Sequence, residues 1–218
     1  MENYRLEGKT FVIDDYDRLP AFSSFLPGLA GVKGIPMWTF YTNRGQGMNS
    51  FGIDNKGNAI MEFNSANTAF ENTTVKGFRT FLKIDGEYYE PFFKYEKEAK
   101  RQIRMNKNSF KIIETNEKYG IEVTVNYFIL PNESIGALVR QVSVKNISDS
   151  AKDIEVIDGL PKIITYGISN GEFKEMSNLF KSWAYIKNID NKVPYYTLRA
   201  STKDSAEVSD VEGGYYYL

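Results

Sequence analysis

From Ile121 to Leu130 the chain reads IEVTVNYFIL, with Ile121, Val123, Val125, Tyr127 and Ile129 at every second position. A period of two places those side chains on one face of an extended strand and their polar neighbours on the other. The runs GALVRQVSVKN and KDIEVIDGL are rich in β-branched residues and are separated by the turn formers NISDSA, which predicts two more strands. FRTFLKI and YYEPFFKY flank Asp85-Gly86, a pair that predicts a tight hairpin. SFGI and AIMEF flank Asp54-Asn55-Lys56-Gly57-Asn58, where Asp and Asn can bond the local backbone and Gly can supply a positive φ. VPYYTLRAS and the terminal GGYYYL read as strands as well.

Helical periodicity is confined to NGEFKEMSNLFKSW. There Phe173, Met176, Leu179, Phe180 and Trp183 share a helical face, with Asn170 as the expected N-cap and Glu172 in the first turn. YEKEAKRQIRM has a helix-forming composition, but its apolar residues are only Ile103 and Met105 and its neighbours are strand-like, so its state stays open. The pattern as a whole predicts a mainly β fold class, an antiparallel β-sandwich with one short helix, as a single domain over residues 1–218. A chain stopping at GGYYYL would leave a bare pairing edge, so the expectation is a fragment truncated near its C-terminus, with more protein following.

Composition narrows the chemistry. Lys and Arg total 27 against 28 Asp and Glu, a balance that argues against a nucleic-acid partner. The cluster Lys94, Lys97, Lys100, Arg101, Arg104 and Lys107 is interleaved with Glu96 and Glu98 and reads as a solvated face. Cysteine and histidine are absent, which removes disulfides, thiolate nucleophiles, zinc-thiolate sites and any Ser-His-Asp triad. Proton transfer would have to use carboxylates, Lys or Tyr, and a metal would have to be a hard, oxygen-seeking ion. MENYRLEGKT has no apolar signal-peptide core, and no apolar run approaches the ~18 residues of a membrane span. A cytoplasmic protein without membrane partner, cofactor or metal is the expectation.

Most candidate chemistry lies between Tyr41 and Phe63. Asn43, Arg44, Gly45, Gln46, Gly47 and Asn49 form a GxG flanked by an Arg and carboxamides. A phosphate cradle needs such a loop to open a helix, whereas MNSFGI continues as strand, so that reading fails. Two remain open: a loop whose backbone and polar side chains approach a ligand, and a bulged β-turn. ENTTVKGFRTF, with Glu71, Asn72, Lys76 and Arg79, is a second polar block. Asp14, Asp15 and Asp17 lack the spacing of a calcium loop and read as a solvated turn. Glu62 and Glu71 would suit glycosidase carboxylates only at a separation that sequence does not give. The 15 Phe, 15 Tyr and 2 Trp supply either sugar-stacking platforms or, more commonly, sandwich core.

The block PAFSSFLPGLAGVKGIPMWTFYTNRGQGMNSFGIDNKGNAIMEFNSANTAFENTTVKGFRTF resembles the N-terminal region of glycoside phosphorylases related to cellobiose phosphorylase, most of all their 1,2-β-oligoglucan members. LVRQVSVKNIS and IEVIDGLP resemble that region's β-sandwich strands, and YYTLRASTKDSAEVSDVEGGYYYL is similar to the segment leading out of the early sandwich, so the likeness spans nearly the whole chain. The resemblance implies a galactose-mutarotase-like super-sandwich joined to a downstream catalytic barrel. It further implies a homodimer, a β-glucan oligosaccharide as substrate and inorganic phosphate as co-substrate. The general-acid Asp and the phosphate site of such enzymes lie in the barrel, so this chain is expected to be inactive by itself. In that setting Asn43, Arg44, Gly45, Gln46, Gly47, Asn49, Glu71 and Arg79 become candidates for lining a sugar or a subunit interface. The alternative is a stand-alone carbohydrate-binding sandwich.

Overall fold

The computed structural model describes residues 3–28, 30–198 and 212–217. The chain forms two compact units, Met1–Ile163 and Ile164–Leu218. In the first unit the elements are β1 (Tyr4–Glu7), β2 (Thr10–Asp14), β3 (Ser23–Leu26), β4 (Met37–Thr42), β5 (Met48–Ile53), β6 (Ala59–Met61) and α1 (Ala66–Lys76). They continue with β7 (Arg79–Ile84), β8 (Glu87–Tyr89), β9 (Ala99–Met105), β10 (Ser109–Asn116), β11 (Ile121–Ile129), β12 (Leu138–Asn146) and β13 (Ile154–Gly159). The second unit contains α2 (Asn170–Trp183), β14 (Ala184–Lys187) and β15 (Tyr195–Leu198).

The fold is mainly β and built from antiparallel pairs, consistent with a β-sandwich. A six-stranded sheet runs β1-β2-β9-β10-β11-β12, a four-stranded sheet runs β3-β4-β5-β6, and a three-stranded sheet runs β13-β7-β8. The period-two pattern of Ile121–Ile129 explains the central strand: its odd positions are buried and its even ones half-exposed. β10 repeats the alternation and pairs with β11 along its full length. Their inward residues meet Tyr41, Met48 and Phe51 of the four-stranded sheet and Leu82, Ile84 and Tyr89 of the three-stranded sheet in one core. Tyr41 packs on Phe110 with ring centroids 4.4 Å apart, and Phe78 on Tyr127 at 5.8 Å.

The turns follow their residues. Asp85 and Gly86 both have positive φ, 49° and 91°, the mirror-image turn whose twist suits a two-residue hairpin. Asn55 accepts a bond from the Gly57 amide between β5 and β6, and Asp54 sits at φ 58°.

Three expectations are corrected and one open segment is settled. There are two α-helices rather than one: the segment ANTAFENTTVK forms α1, which packs Ala69 and Thr73 against β4 and β5. The N-cap of α2 is Ser169, not Asn170; Ser169 accepts from the Glu172 amide while Glu172 accepts from the Ser169 amide, a reciprocal capping box. YEKEAKRQIRM, left open above, forms β9 over its last seven residues, Ala99–Met105, where pairing with both β2 and β10 outweighs helical propensity. The described part of GGYYYL, residues 213–217, carries no strand; Gly213 sits at φ 100° and Tyr215 packs edge-on against Tyr166 at 5.3 Å. VPYYTLRAS does contain a strand, Tyr195–Leu198, and its last residues lie outside those described. No helix among the described residues is long and apolar enough to cross a membrane.

Candidate functional site

The loop joining β4 to β5 is tight. The Thr42 amide donates to the Gly47 carbonyl at 2.9 Å, the Gly47 amide to the Arg44 carbonyl at 2.9 Å, and the register slips between Phe40 and Tyr41. This is the bulged turn that the sequence left as one of two readings. Gly45 and Gly47 lie at φ 50° and 79°, where a side chain is strained. A Cβ on Gly47 would also stand 2.4 Å from the Phe110 ring, so the loop seats directly on the core.

Its polar side chains are structural pins. Asn43 is fully buried; its amide nitrogen donates to the Tyr16 and Pro20 carbonyls at 2.9 and 3.0 Å, and its oxygen accepts from the Phe22 amide. Arg44 donates to the carbonyls of Asn43 and Leu19. Gln46 donates to the Thr80 hydroxyl at 2.9 Å and accepts from Arg140, which also pairs with Asp158. Asn49 lies on the other side of β5, bonding the Ala69 carbonyl and the Thr73 hydroxyl of α1. Each such bond contributes on the order of 1 kcal/mol, but an orphaned buried partner costs more.

Two of the separated sequence blocks nonetheless converge. Gly45 and Gln46 from the loop, Thr74 from α1, and Phe78 and Arg79 at the start of β7 line one small cleft, with room for about one water molecule, together with Glu90, Pro91, Phe92 and Phe93. Arg79 and Glu90 form a two-pronged pair, Nε to Oε1 at 2.7 Å and Nη2 to Oε2 at 2.8 Å. The Arg79 guanidinium also lies over Phe81 and Phe93, 4.7 and 5.2 Å from the ring centroids. Hydrogen bonding to Glu90 raises the Arg79 pKa. Glu71 is absent from this wall: it sits on the exposed side of α1.

The far wall is set by a residue in an unusual conformation. Phe92 has φ 64°, costly for a bulky side chain. Its amide donates to Glu114 Oε2 at 2.7 Å. Glu114, 1 % exposed, also accepts from the Tyr89 hydroxyl and from Arg101 Nε, the latter at 2.6 Å. Arg101 reaches Asp17 at 2.8 Å and the Lys94 carbonyl at 2.5 Å. Burial pulls the Arg101 pKa down, but Glu114, Tyr16 and Asp17 more than offset that and leave it raised. Burial, then the charge of Glu114, pushes the Tyr89 phenol well up. Arg101 is therefore no part of a solvated basic face, as the sequence reading had it, but the cation of a buried network.

Sequence reasoning missed Glu90 and Glu114. YYEPFFKY signals only a strand with a proline, whereas Glu114 shares the inward parity of Phe110 and Ile112 in β10, a carboxylate at a core position whose partner, Arg101, is placed opposite it only by the strand register. Asp14 and Asp17 of the acidic turn are engaged by Arg5 and Arg101. Compared with models of known protein families and with curated protein sequences, the chain matches none.

Proposed function

We propose that this chain is the N-terminal, non-catalytic sandwich domain of an inverting β-glucan phosphorylase of the β-1,2-oligoglucan or cellobiose type, where it supports a homodimer and helps cover the sugar site. The observation that carries the reading is the convergence of the RGQG loop and the GFRTF strand on one cleft. Both stretches belong to the block with the phosphorylase resemblance, and they supply a guanidinium and aromatic rings that meet Glu90, from beyond that block, in a partly shielded cleft. That is the chemistry that recognises hydroxyl-rich rings. Glu90 is held by Arg79 and is no free general acid, in keeping with a catalytic Asp supplied by the downstream barrel. A cytoplasmic setting belongs to the same proposal.

The test is to read the coding sequence past Leu218 and assay the complete product with β-1,2-glucooligosaccharides and inorganic phosphate. The expected result is a long open frame whose product releases α-glucose 1-phosphate, while the 218-residue chain alone releases none. An immediate stop codon, an inactive complete product, or phosphorolysis by the short chain overturns the proposal. Tyr88, 83 % exposed beside the cleft strand, keeps the stand-alone carbohydrate-binding module as the second reading. Calorimetry of this chain with glucans tests that reading, and absence of heat counts against it.

A further inference from the structure

The three-stranded sheet ends in β13, and that edge differs from the others of its unit. The Asp85 amide donates to the Asp153 carbonyl at 2.9 Å, in register with Ile154 on Ile84 and Ile157 on Phe81. Antiparallel strands bond at alternate pairs. Glu155, Ile157 and Gly159 therefore bond β7, while the N–H and C=O groups of Ile154, Val156 and Asp158 point away from it. Among the described residues no strand lies on that side.

β13 also lacks what commonly guards a free edge: a proline, a lysine or a bulge. It reads IEVIDG and pairs without a register shift. Ile157 is 74 % exposed on the outer face. Val156 faces inward beside Leu82, yet is 50 % exposed where Leu82 is 1 %. The core thus runs out beneath β13, and apolar side chains flank the bare edge on both faces. Of the other edges in this unit, β6 and β8 are three residues long, β1 and β3 four, and β12 carries Arg140 and Lys145.

Charge selects the occupant. Asp153 continues the outer row of Glu155 and Ile157 and stands opposite Asp85, a like-charged pair across the ladder. Lys152 pairs with Asp85 and Lys83 with Glu155, which leaves Asp153 as the surplus acid. A second copy is a poor match. Pairing β13 with itself about Val156 sets Glu155 against Ile157 and Ile154 against Asp158, with no new cation for any acid. A strand alternating lysine or arginine with β-branched residues places its cations beside Asp153 and Glu155 on the outer face. Its apolar side chains then cover Val156 on the inner face.

We infer that the free edge of β13 is a docking site for an extended segment of a partner protein, basic and β-branched in alternation. The segment joins the sheet as its fourth strand through the backbone of Ile154, Val156 and Asp158. Main-chain bonds supply the affinity and the alternation supplies the specificity. The inference is independent of the carbohydrate reading above.

The experiment is amide hydrogen exchange by NMR on the full chain. The probe is a capped peptide of alternating lysine and valine about eight residues long, an ordinary strand length. A glutamate–valine peptide and a lysine–valine peptide with a central proline are the comparators. The basic peptide should slow exchange at Ile154, Val156 and Asp158 about tenfold or more. Glu155 and Ile157, already bonded to β7, should be unchanged. Asp153→Asn combined with Glu155→Gln should weaken binding about tenfold, and roughly 0.5 M salt should weaken it in the same direction. Val156→Pro removes a free-edge donor without touching a β7 bond and should abolish binding, with retained protection at Glu155 and Ile157 showing that it folds. Should that variant unfold, the proline peptide carries the same test from the partner's side, and it should not bind. No slowing at peptide up to roughly 2 mM, a weak-binding limit, overturns the inference. So does slowing confined to other strands, equal slowing by the glutamate peptide, or undiminished binding of the proline peptide. Slowing at the three amides that grows with protein concentration in the absence of peptide makes a second copy the occupant, and overturns it as well.

Discussion

The two compact units differ in how much polar chemistry they bury. Residues Met1–Ile163 bury polar and charged groups and bond most of them: Asn43, Gln46, Arg101 and Glu114 are all at or below 5 % exposure and hydrogen-bonded, while the buried Asn49 Oδ1 has no partner among the described residues. Residues Ile164–Leu218 bury Ile164, Ile168, Phe173 and Phe180 but leave Ile186, Ile189 and Val193 at 65, 68 and 71 % exposure. The first unit has three multi-stranded sheets around one core. Among described residues the second has a single two-stranded sheet, which is marginal without further support. The lesson is that specification differs in kind. The first unit is held by buried polar groups bonded to one another across its sheets; the second carries local devices such as the α2 cap.

The sharpest way to break that contrast is Glu114→Ala. Removing the carboxylate leaves Arg101 buried without its main counter-charge, takes away the acceptor of the Tyr89 hydroxyl, which keeps only its bond from Asn116, and releases the Phe92 amide. A loss of about 3–5 kcal/mol is expected from breaking a buried pair, read as a drop in the urea midpoint. A loss below about 1 kcal/mol, the level of an exposed pair, would mean the network is not what holds the first unit.

Alkaline pH probes the same unit less severely. Burial, opposed in part by Arg140, pushes the Tyr127 phenol up to about 12. A folded pKa above the unfolded value near 10 stabilises fully below pH ~10 and is lost as pH rises toward ~12, because the unfolded chain gives up its proton first. The stabilisation is on the order of 3 kcal/mol for two pK units. Urea midpoints measured from pH 9 to 12 should therefore fall, and Tyr127→Phe should flatten that fall. An identical slope in the variant would remove Tyr127 as the cause.

The smallest effect is expected in the second unit. Ser169→Ala removes half of the capping box and should cost about 1 kcal/mol. Amide exchange should speed up in the first turns of α2 while β10 and β11 keep their protection. Equal acceleration in all three would show that the units open together and would dissolve the comparison.

Legibility in the sequence followed the same division. Ile121–Ile129 was readable because one face is aliphatic throughout, and Asp85-Gly86 because a two-residue turn of that type admits few other residues. α1 was not, since its buried face is Ala69 and Thr73, too small and polar to give a hydrophobic period. Of the candidate site, Gly45, Gln46 and Arg79 were named for their chemistry. Their meeting at Glu90 depends on how the sheets stack, and no local pattern carries that. Asn43 and Asn49 were chosen as ligand-like carboxamides; the bonds recorded for them run inward, to neighbouring backbone and Thr73.

The order of strands in the largest sheet also governs when the protein can form. β2 lies next to β9, with the Gln102 amide bonded to Asp14 across 88 positions of chain. The β1–β2 hairpin is synthesised before its permanent neighbour β9, which is made only after the whole four-stranded sheet, α1 and the β7–β8 hairpin. Closing so long a loop is slow, and until then β2 has an unpaired edge on which another nascent chain can dock. Synthesis from a messenger with slow codons before Ala99 should lengthen that exposure and lower the soluble yield, with no change in the finished molecule.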